Sequence, residues 1–295
     1  MVRALAAISD ADMAGDTLGS TELRFSPRTL RSGAYRFDVG AVRESAGSVT
    51  LLGQALLLPL ALASASSRLT LVGGTHVPWS PPAHYLAEVF LPALAEIGVR
   101  ARLGLSRWGW YPAGGGEVEL TVSPTRGLDG FSPKPAGEPG PVRGRSAVSR
   151  LPRTIAERQR RRVMERLAAA GVTAEIAIEE DQTAVGPGTL VFLSVRGRAG
   201  FSALGRRGVP AERVADDAVD QLLAFRGSGA TVDDHLADQL VPFLALARGP
   251  SDLRCPVLSP HLETVAWVVE QLLAVRVQLD AGPPARVRVT PVGDP

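Results

Sequence analysis

Lysine is almost absent from this 295-residue chain. Of its 32 basic residues only Lys134 is a lysine, and it sits in the proline-rich stretch "FSPKPAGEPGP". That setting disfavours both a lysine nucleophile and a P-loop lysine. Cysteine is nearly as scarce. The single Cys255 excludes an internal disulfide and fits a reducing cytoplasm. Net charge is only +2, so the total supplies no strong field for nucleic acid. No basic-then-apolar secretory signal follows Met1, and a cytoplasmic location is expected. The membrane-like run "VTLLGQALLLPLALASA" (49–65) is interrupted by Gly53, Gln54 and Pro59. It falls short of the roughly 20 apolar residues a span needs and reads as a buried helix.

What is present is a patterned α+β chain. "MVRALAAIS" reads as a helix already under way, with no capping residue before it. Strands follow at "TELRFSP" and "GAYRFDVG", then a helix near 47–64, a strand at 68–74 and a helix from Pro81 to about Ile97. Two strands, "VRARLGLSRWGWYP" and "GEVELTVSP", are joined through "AGGG". The C-terminal portion repeats the order. A helix over 234–247 precedes strand "DLRCPVL", a helix after Pro260, and strands "AVRVQLD" and "RVRVTPV". "SPPAHYLAEVFL" even matches "SPHLETVAWVVEQLL". We therefore expect an array of βαβαββ-type repeats over 1–137 and 230–295. A smaller α+β domain is inserted at 138–229, with a strand, the arginine-rich helix "PRTIAERQRRRVMERLAAAG", two strands and a helix after Pro210.

Histidine is the residue to follow, since there are four. Ser259 is a good N-cap and Pro260 suits the first helical position, which puts His261 in the first turn. The partly positive helix end favours neutral imidazole, the nucleophilic form, and free amides there suit a phosphate. From position alone, a packed or solvated histidine at a helix start is the commoner explanation. "DDHLADQL" places Asp234, His235 and Asp238 at the start of the preceding helix, where acidic residues also serve the helix dipole. Gln54 and Gln239 stand on apolar faces and need partners. "SAGS" (45–48) could cradle phosphate, whereas "AGGGE" (113–117) is explained by a hairpin turn. His76 and His84 lack metal-ligand spacing. Arg158, Arg162 and Arg166, four apart, form either a stripe for RNA phosphates or a solvated helix face.

Taken together, the chain resembles the RNA 3′-terminal phosphate cyclase family. The likeness is carried in order by "GAYRFDVG", "SAGSVTLLGQALL", "GGTHVPWSPP", "RWGWYPAGGGEVEL", "LPRTIAERQ", "HLADQLVPFLALA" and the histidine of "SPHLETVAWVVEQ". The resemblance implies conversion of an RNA 3′-terminal phosphate to a 2′,3′-cyclic phosphate, using ATP and a divalent metal (Mg or Mn). It implies that His261 accepts AMP and that Gln54, Pro81, Tyr85 and the segment His235, Leu236, Ala237, Asp238 and Gln239 contact adenylate, with His235 and Pro81 on either side of the adenine. RNA is the implied partner, with no membrane. Three departures stand out. The family's opening repeat, with its glycine-rich segment, metal-binding glutamate and basic phosphate contacts, is not seen. An extra "AVRE" occupies 41–44, and His84 stands where the family often has an acidic residue. A chain entered midway through the opening repeat would show the uncapped start at Met1. The alternative implied by the same resemblance is a non-catalytic RNA-binding relative serving ribosome assembly. An enolpyruvyl-transferase-like enzyme lacks its basic substrate-site motifs here.

Overall fold

A computed structural model describes residues 1–41, 46–134, 142–195 and 197–292. Residues 42–44 of the extra "AVRE", Ser45 of "SAGS" and the linker at 135–141, with the expected boundary at 138, lie outside the described residues. The fold is α+β, and two compact units account for the chain.

The first unit takes Met1–Ala83, Val99–Arg126 and Thr183–Gly186. Helix α1 (Val2–Ser9) buries Ala4, Ala6 and Ile8. An antiparallel ribbon of β1 (Asp12–Ala14) and β2 (Arg24–Ser26) follows. The three residues of β1 are too few to show alternation, which is why the sequence does not announce this strand. Next come β3 (Ala34–Asp38), α2 (Val49–Ala61), β4 (Ser67–Gly73), β5 (Arg100–Arg107) and β6 (Gly116–Ser123), in a sheet of order β3-β4-β6-β5. The Ser48 hydroxyl caps α2 by accepting from the Leu51 amide at 3.2 Å. Most of the apolar run of 49–65 is this helix, which ends at Ala61, with Leu56, Leu57 and Leu60 fully buried. Gly53 lets it approach the sheet, since a Cβ there would already touch Leu71 and Leu120 at 3.4 Å. Among the described residues no helix is long and apolar enough to cross a membrane.

The second unit takes His84–Gly98, Gly127–Gln182 and Pro187–Pro295. Its first helical segment was expected as one regular helix. It runs instead from α3 (Ala83–Tyr85) through a π-helical turn (Leu86–Phe90) into α4 (Leu91–Glu96). Apolar spacing does not reveal such a turn. The turn carries Glu88, which accepts from the Ser194 hydroxyl at 2.9 Å and pairs with Arg145.

The segment expected as an insertion forms β7 (Val142–Ser149), α5 (Arg153–Ala169), β8 (Ala174–Asp181), β9 (Gly188–Val195), β10 (Ala199–Leu204) and α6 (Ala211–Ser228). Its sheet order is β10-β9-β7-β8, and α5 and α6 bury Val163, Leu167, Val219 and Leu222 with Val191 and Leu193. Strand β10 was not anticipated from the sequence. The remaining elements are α7 (Asp234–Leu244), β11 (Ser251–Cys255), α8 (Pro260–Leu272), β12 (Val275–Asp280) and β13 (Ala285–Pro291). Sheet order β11-β13-β12 reproduces β4-β6-β5 of the first unit. In both, the strand after the first helix pairs antiparallel with the last strand, which pairs antiparallel with the middle one. The repeat read from the sequence is thus a repeat of topology.

Candidate active site

The four histidines divide cleanly. His76 is 1% exposed, stacked on Trp108 with ring centres 4.4 Å apart and tilted against Trp110 at 4.9 Å. Its Nδ1 lies 2.7 Å from the Thr75 hydroxyl, so its ring belongs to the core of the first unit. His84 is also buried, with Nε2 3.5 Å from a Glu179 carboxylate oxygen, and burial holds its pKa below the usual value against the pull of that carboxylate. His235 and His261 are exposed.

Both exposed imidazoles stand at helix starts in the second unit. Asp233 begins α7 by accepting the Leu236 amide at 2.7 Å, and Ser259 begins α8 by accepting the Leu262 amide at 3.1 Å. The loop between β11 and α8 is tied to α7 by the Val257 amide, which donates to Asp234 Oδ1 at 3.0 Å. His235 and His261 each follow two residues behind these caps.

Asp238 links the two histidines electrostatically. Burial pushes its carboxyl up to about 6, while the charges of His235 and His261 act in the opposite sense. One half-buried carboxylate therefore feels both imidazoles.

The other residues singled out from the sequence fall into distinct places. Leu236 and Ala237 are fully buried, and their amides are spent on the Asp233 carboxylate and carbonyl respectively. Gln239 is half-buried on α7. Tyr85 is 3% exposed and donates its hydroxyl to Asp233, so ring and hydroxyl are committed to the fold. Gln54 is half-buried on α2 and Pro81 accepts from the Thr50 hydroxyl at 2.7 Å; both belong to the first unit. Cys255 is buried, its thiol is pushed up to about 12 chiefly by desolvation, and it donates to the Val257 carbonyl, which leaves no thiolate nucleophile.

The arginine stripe of α5 is occupied. Arg158 pairs with Glu212 through two contacts of 2.8 and 2.6 Å, Arg162 meets Asp216 at 2.8 Å, and Arg166 reaches Asp216 at 2.7 Å and Asp220 at 2.6 Å. The acidic partners are four residues apart on α6, so a basic ladder faces an acidic one. That matching spacing was in the sequence and went unread. Asp233, the fixed point of the α7 start, was also missed; a buried N-cap looks like any other aspartate before a helix. Among the described residues no group of three or more His, Cys, Asp or Glu side chains gathers that could hold a metal ion.

Comparison with known proteins agrees with this frame. The family model for RNA 3′-terminal phosphate cyclase matches residues 1–279. The chain is 47% identical over 285 residues to the RNA 3′-terminal phosphate cyclase of Methylococcus capsulatus, covering 94% of this chain and 79% of that protein. It is 43% identical to that of Gloeothece citriformis, covering 95% and 81%. To that of the archaeon Pyrobaculum neutrophilum it is 38% identical, covering 100% and 85%. The chain belongs to the RNA 3′-terminal phosphate cyclase family.

Proposed function

We propose that this protein is an ATP-dependent RNA 3′-terminal phosphate cyclase with His261 as its nucleophile. The observation that carries the assignment of the nucleophile is the placing of His261. It is an exposed imidazole in the first turn of a capped helix, within electrostatic reach of Asp238, whereas two of the other three histidines are locked in cores. His235 shares the exposure but heads the segment that the family resemblance assigns to adenylate contact.

The chemistry runs in three exchanges. A nitrogen lone pair of His261 attacks the α-phosphorus of ATP; an N–P bond forms, the bond to the bridging oxygen breaks, and pyrophosphate leaves. The RNA 3′-phosphate then attacks the same phosphorus, taking AMP and returning the imidazole. Last, the neighbouring 2′-hydroxyl attacks the 3′-phosphorus, loses its proton, and expels AMP as the ring closes. A phosphate dianion is a poor electrophile, and AMP supplies the leaving group that it lacks. Ionised Asp238 stabilises the positive charge that develops on the His261 ring during attack. His235, exposed in the first turn of α7, and Gln239, half-buried further along it, are the side chains to which this reading gives nucleotide contact.

ATP fits the exposed imidazoles, which can donate to or attack a phosphate. The described side chains gather no cluster of three or more metal ligands, and none of these exchanges is assigned to a divalent cation, which with ATP would be held largely by the phosphates. The test is turnover. Protein mixed with ATP, Mg or Mn, and a 3′-phosphorylated oligoribonucleotide is expected to yield a 2′,3′-cyclic end resistant to phosphatase. Full phosphatase sensitivity after incubation would leave the non-catalytic relative as the better reading.

A further inference from the structure

The sheet β11-β13-β12 has two unlike faces. One buries Leu253 and Cys255, Val287 and Val289, and Val275 beneath α7 and α8. Alternate residues form the other face: Asp252 and Arg254 on β11, Arg286 and Arg288 on β13, Arg276 and Asp280 on β12. Four guanidinium groups face two carboxylates, an excess of two that equals the formal net charge of the whole chain, +2.

The pairing leaves two arginines over. Asp252 accepts from Arg286 Nε at 2.8 Å, and Asp280 meets Arg288 at 3.1 Å. Arg254 stands directly opposite Arg286 in the register, and Arg276 opposite Thr290; both are exposed and neither makes an ion pair among the described residues. Like charges directly across an antiparallel pair destabilise a sheet. Asp252 relieves this only in part, being held below the usual carboxylate range first by its hydrogen bond to Arg286 and also by the charges of Arg288 and Arg254. A local rule broken and only partly compensated inside the fold points to a counter-charge from outside.

Geometry selects what that counter-charge is. Arg254 and Arg286 share one level of the sheet, Arg288 the next and Arg276 the third. Successive levels on one face are about 6.8 Å apart, on the order of the phosphate spacing in an extended single strand. The first level lies at the end of β11 that leads within six residues to His261. Guanidinium groups suit phosphate better than ammonium does, and every cation here is arginine.

We propose that this open sheet face carries the phosphate backbone of the RNA upstream of its reacting 3′ end, with Arg254 and Arg276 supplying the charges that the fold leaves unmatched. The proposal rests on the cyclase reading and extends it to the body of the substrate.

The test compares the wild type with Arg254→Ala/Arg276→Ala in three measurements. These are affinity for a longer 3′-phosphorylated single strand across a salt series, cyclisation of a 3′-phosphorylated dinucleotide, and AMP attachment from ATP alone. The expected result is a several-fold loss of long-strand affinity, with a salt slope shallower by about 0.7 for each phosphate contact removed. Dinucleotide cyclisation and AMP attachment stay at wild-type levels, which also shows the variant to be folded. Arg254→Lys is expected to keep most of the slope. Unchanged long-strand affinity and slope overturn the proposal, as does an equal loss on the dinucleotide. A wild type that takes up AMP but shows no length-dependent binding overturns it while sparing the nucleophile. A wild type that does neither removes the cyclase reading and this proposal together.

Discussion

The Tyr85 hydroxyl donates to both carboxylate oxygens of Asp233, at 2.9 and 3.1 Å, across 148 positions of sequence. Asp233 also accepts the amides of Leu236 at 2.7 Å and Gly200 at 2.9 Å. One buried carboxylate thereby joins the π-turn segment, β10 and the start of the helix that carries His235 and Asp238. Burial raises the pKa of Tyr85, which keeps the phenol protonated as the donor; burial raises Asp233 as well, against the hydrogen bonds from Leu236, Gly200 and Tyr85 that favour its ionised, accepting form.

Tyr85→Phe keeps the ring and removes one donor to a buried charge. We expect a loss of about 1.5–3 kcal/mol in urea unfolding. Asp233→Ala is expected to cost more, because it also strips the α7 cap and leaves Tyr85 unpaired. Equal stability of wild type and Tyr85→Phe would show that the phenol contributes nothing to holding the cap.

Asp238 sets a pH window. Its carboxyl moves from an ordinary 3.8 to about 6 on folding, so between these values the folded chain holds a proton that the unfolded chain has lost. Stability is therefore expected to fall as pH rises from about 4 to about 6 and then to level. Asp233, raised in the same direction, keeps part of this slope in Asp238→Asn, and the difference between the two curves isolates Asp238. The rate of AMP attachment is expected to climb through about pH 6 in the wild type as Asp238 ionises, and to lose that limb in Asp238→Asn. An identical profile in both proteins would remove Asp238 from the chemistry.

The α5–α6 ladder predicts a structural but not a binding effect for its arginines. Arg162→Ala is expected to lower the urea midpoint slightly, by an amount that shrinks at high salt, with RNA affinity unchanged. Asp216 is held below the usual carboxylate range by Arg162 and Arg166 despite its partial burial, so the ladder is expected to weaken in acid as Asp216 takes up a proton. A loss of RNA affinity in Arg162→Ala without loss of stability would restore the stripe as a phosphate track.

Cys255 is expected to resist alkylation at pH 8 while the protein is folded and to react fully in urea, read by intact mass. Its buried thiol, pushed up to about 12, carries almost no thiolate at that pH. Rapid labelling of the folded chain would contradict its placing beneath α7 and α8.

Much of this was legible in the residues because it depends on local rules. Ser48 and Ser259 announce the starts of α2 and α8, and the apolar run at 49–65 reads as the core helix it forms. The matched order of elements foretold two sheets of the same connectivity. Long-range pairing was less accessible. The π turn carries Glu88, which meets Arg145 and Ser194, and the Tyr85–Asp233 bond joins segments that no local pattern connects. His261 could be placed at a helix start from Ser259 and Pro260. Its relation to Asp238 required the packing of α7 beside α8.

The most direct test of the central claim is incubation of the protein with α-labelled ATP and Mg or Mn, without RNA, followed by denaturing electrophoresis. The account predicts label bound covalently to the wild type, released by mild acid as expected for an N–P bond, and absent from His261→Ala. Label retained by His261→Ala, or bound through an acid-stable linkage, would contradict it.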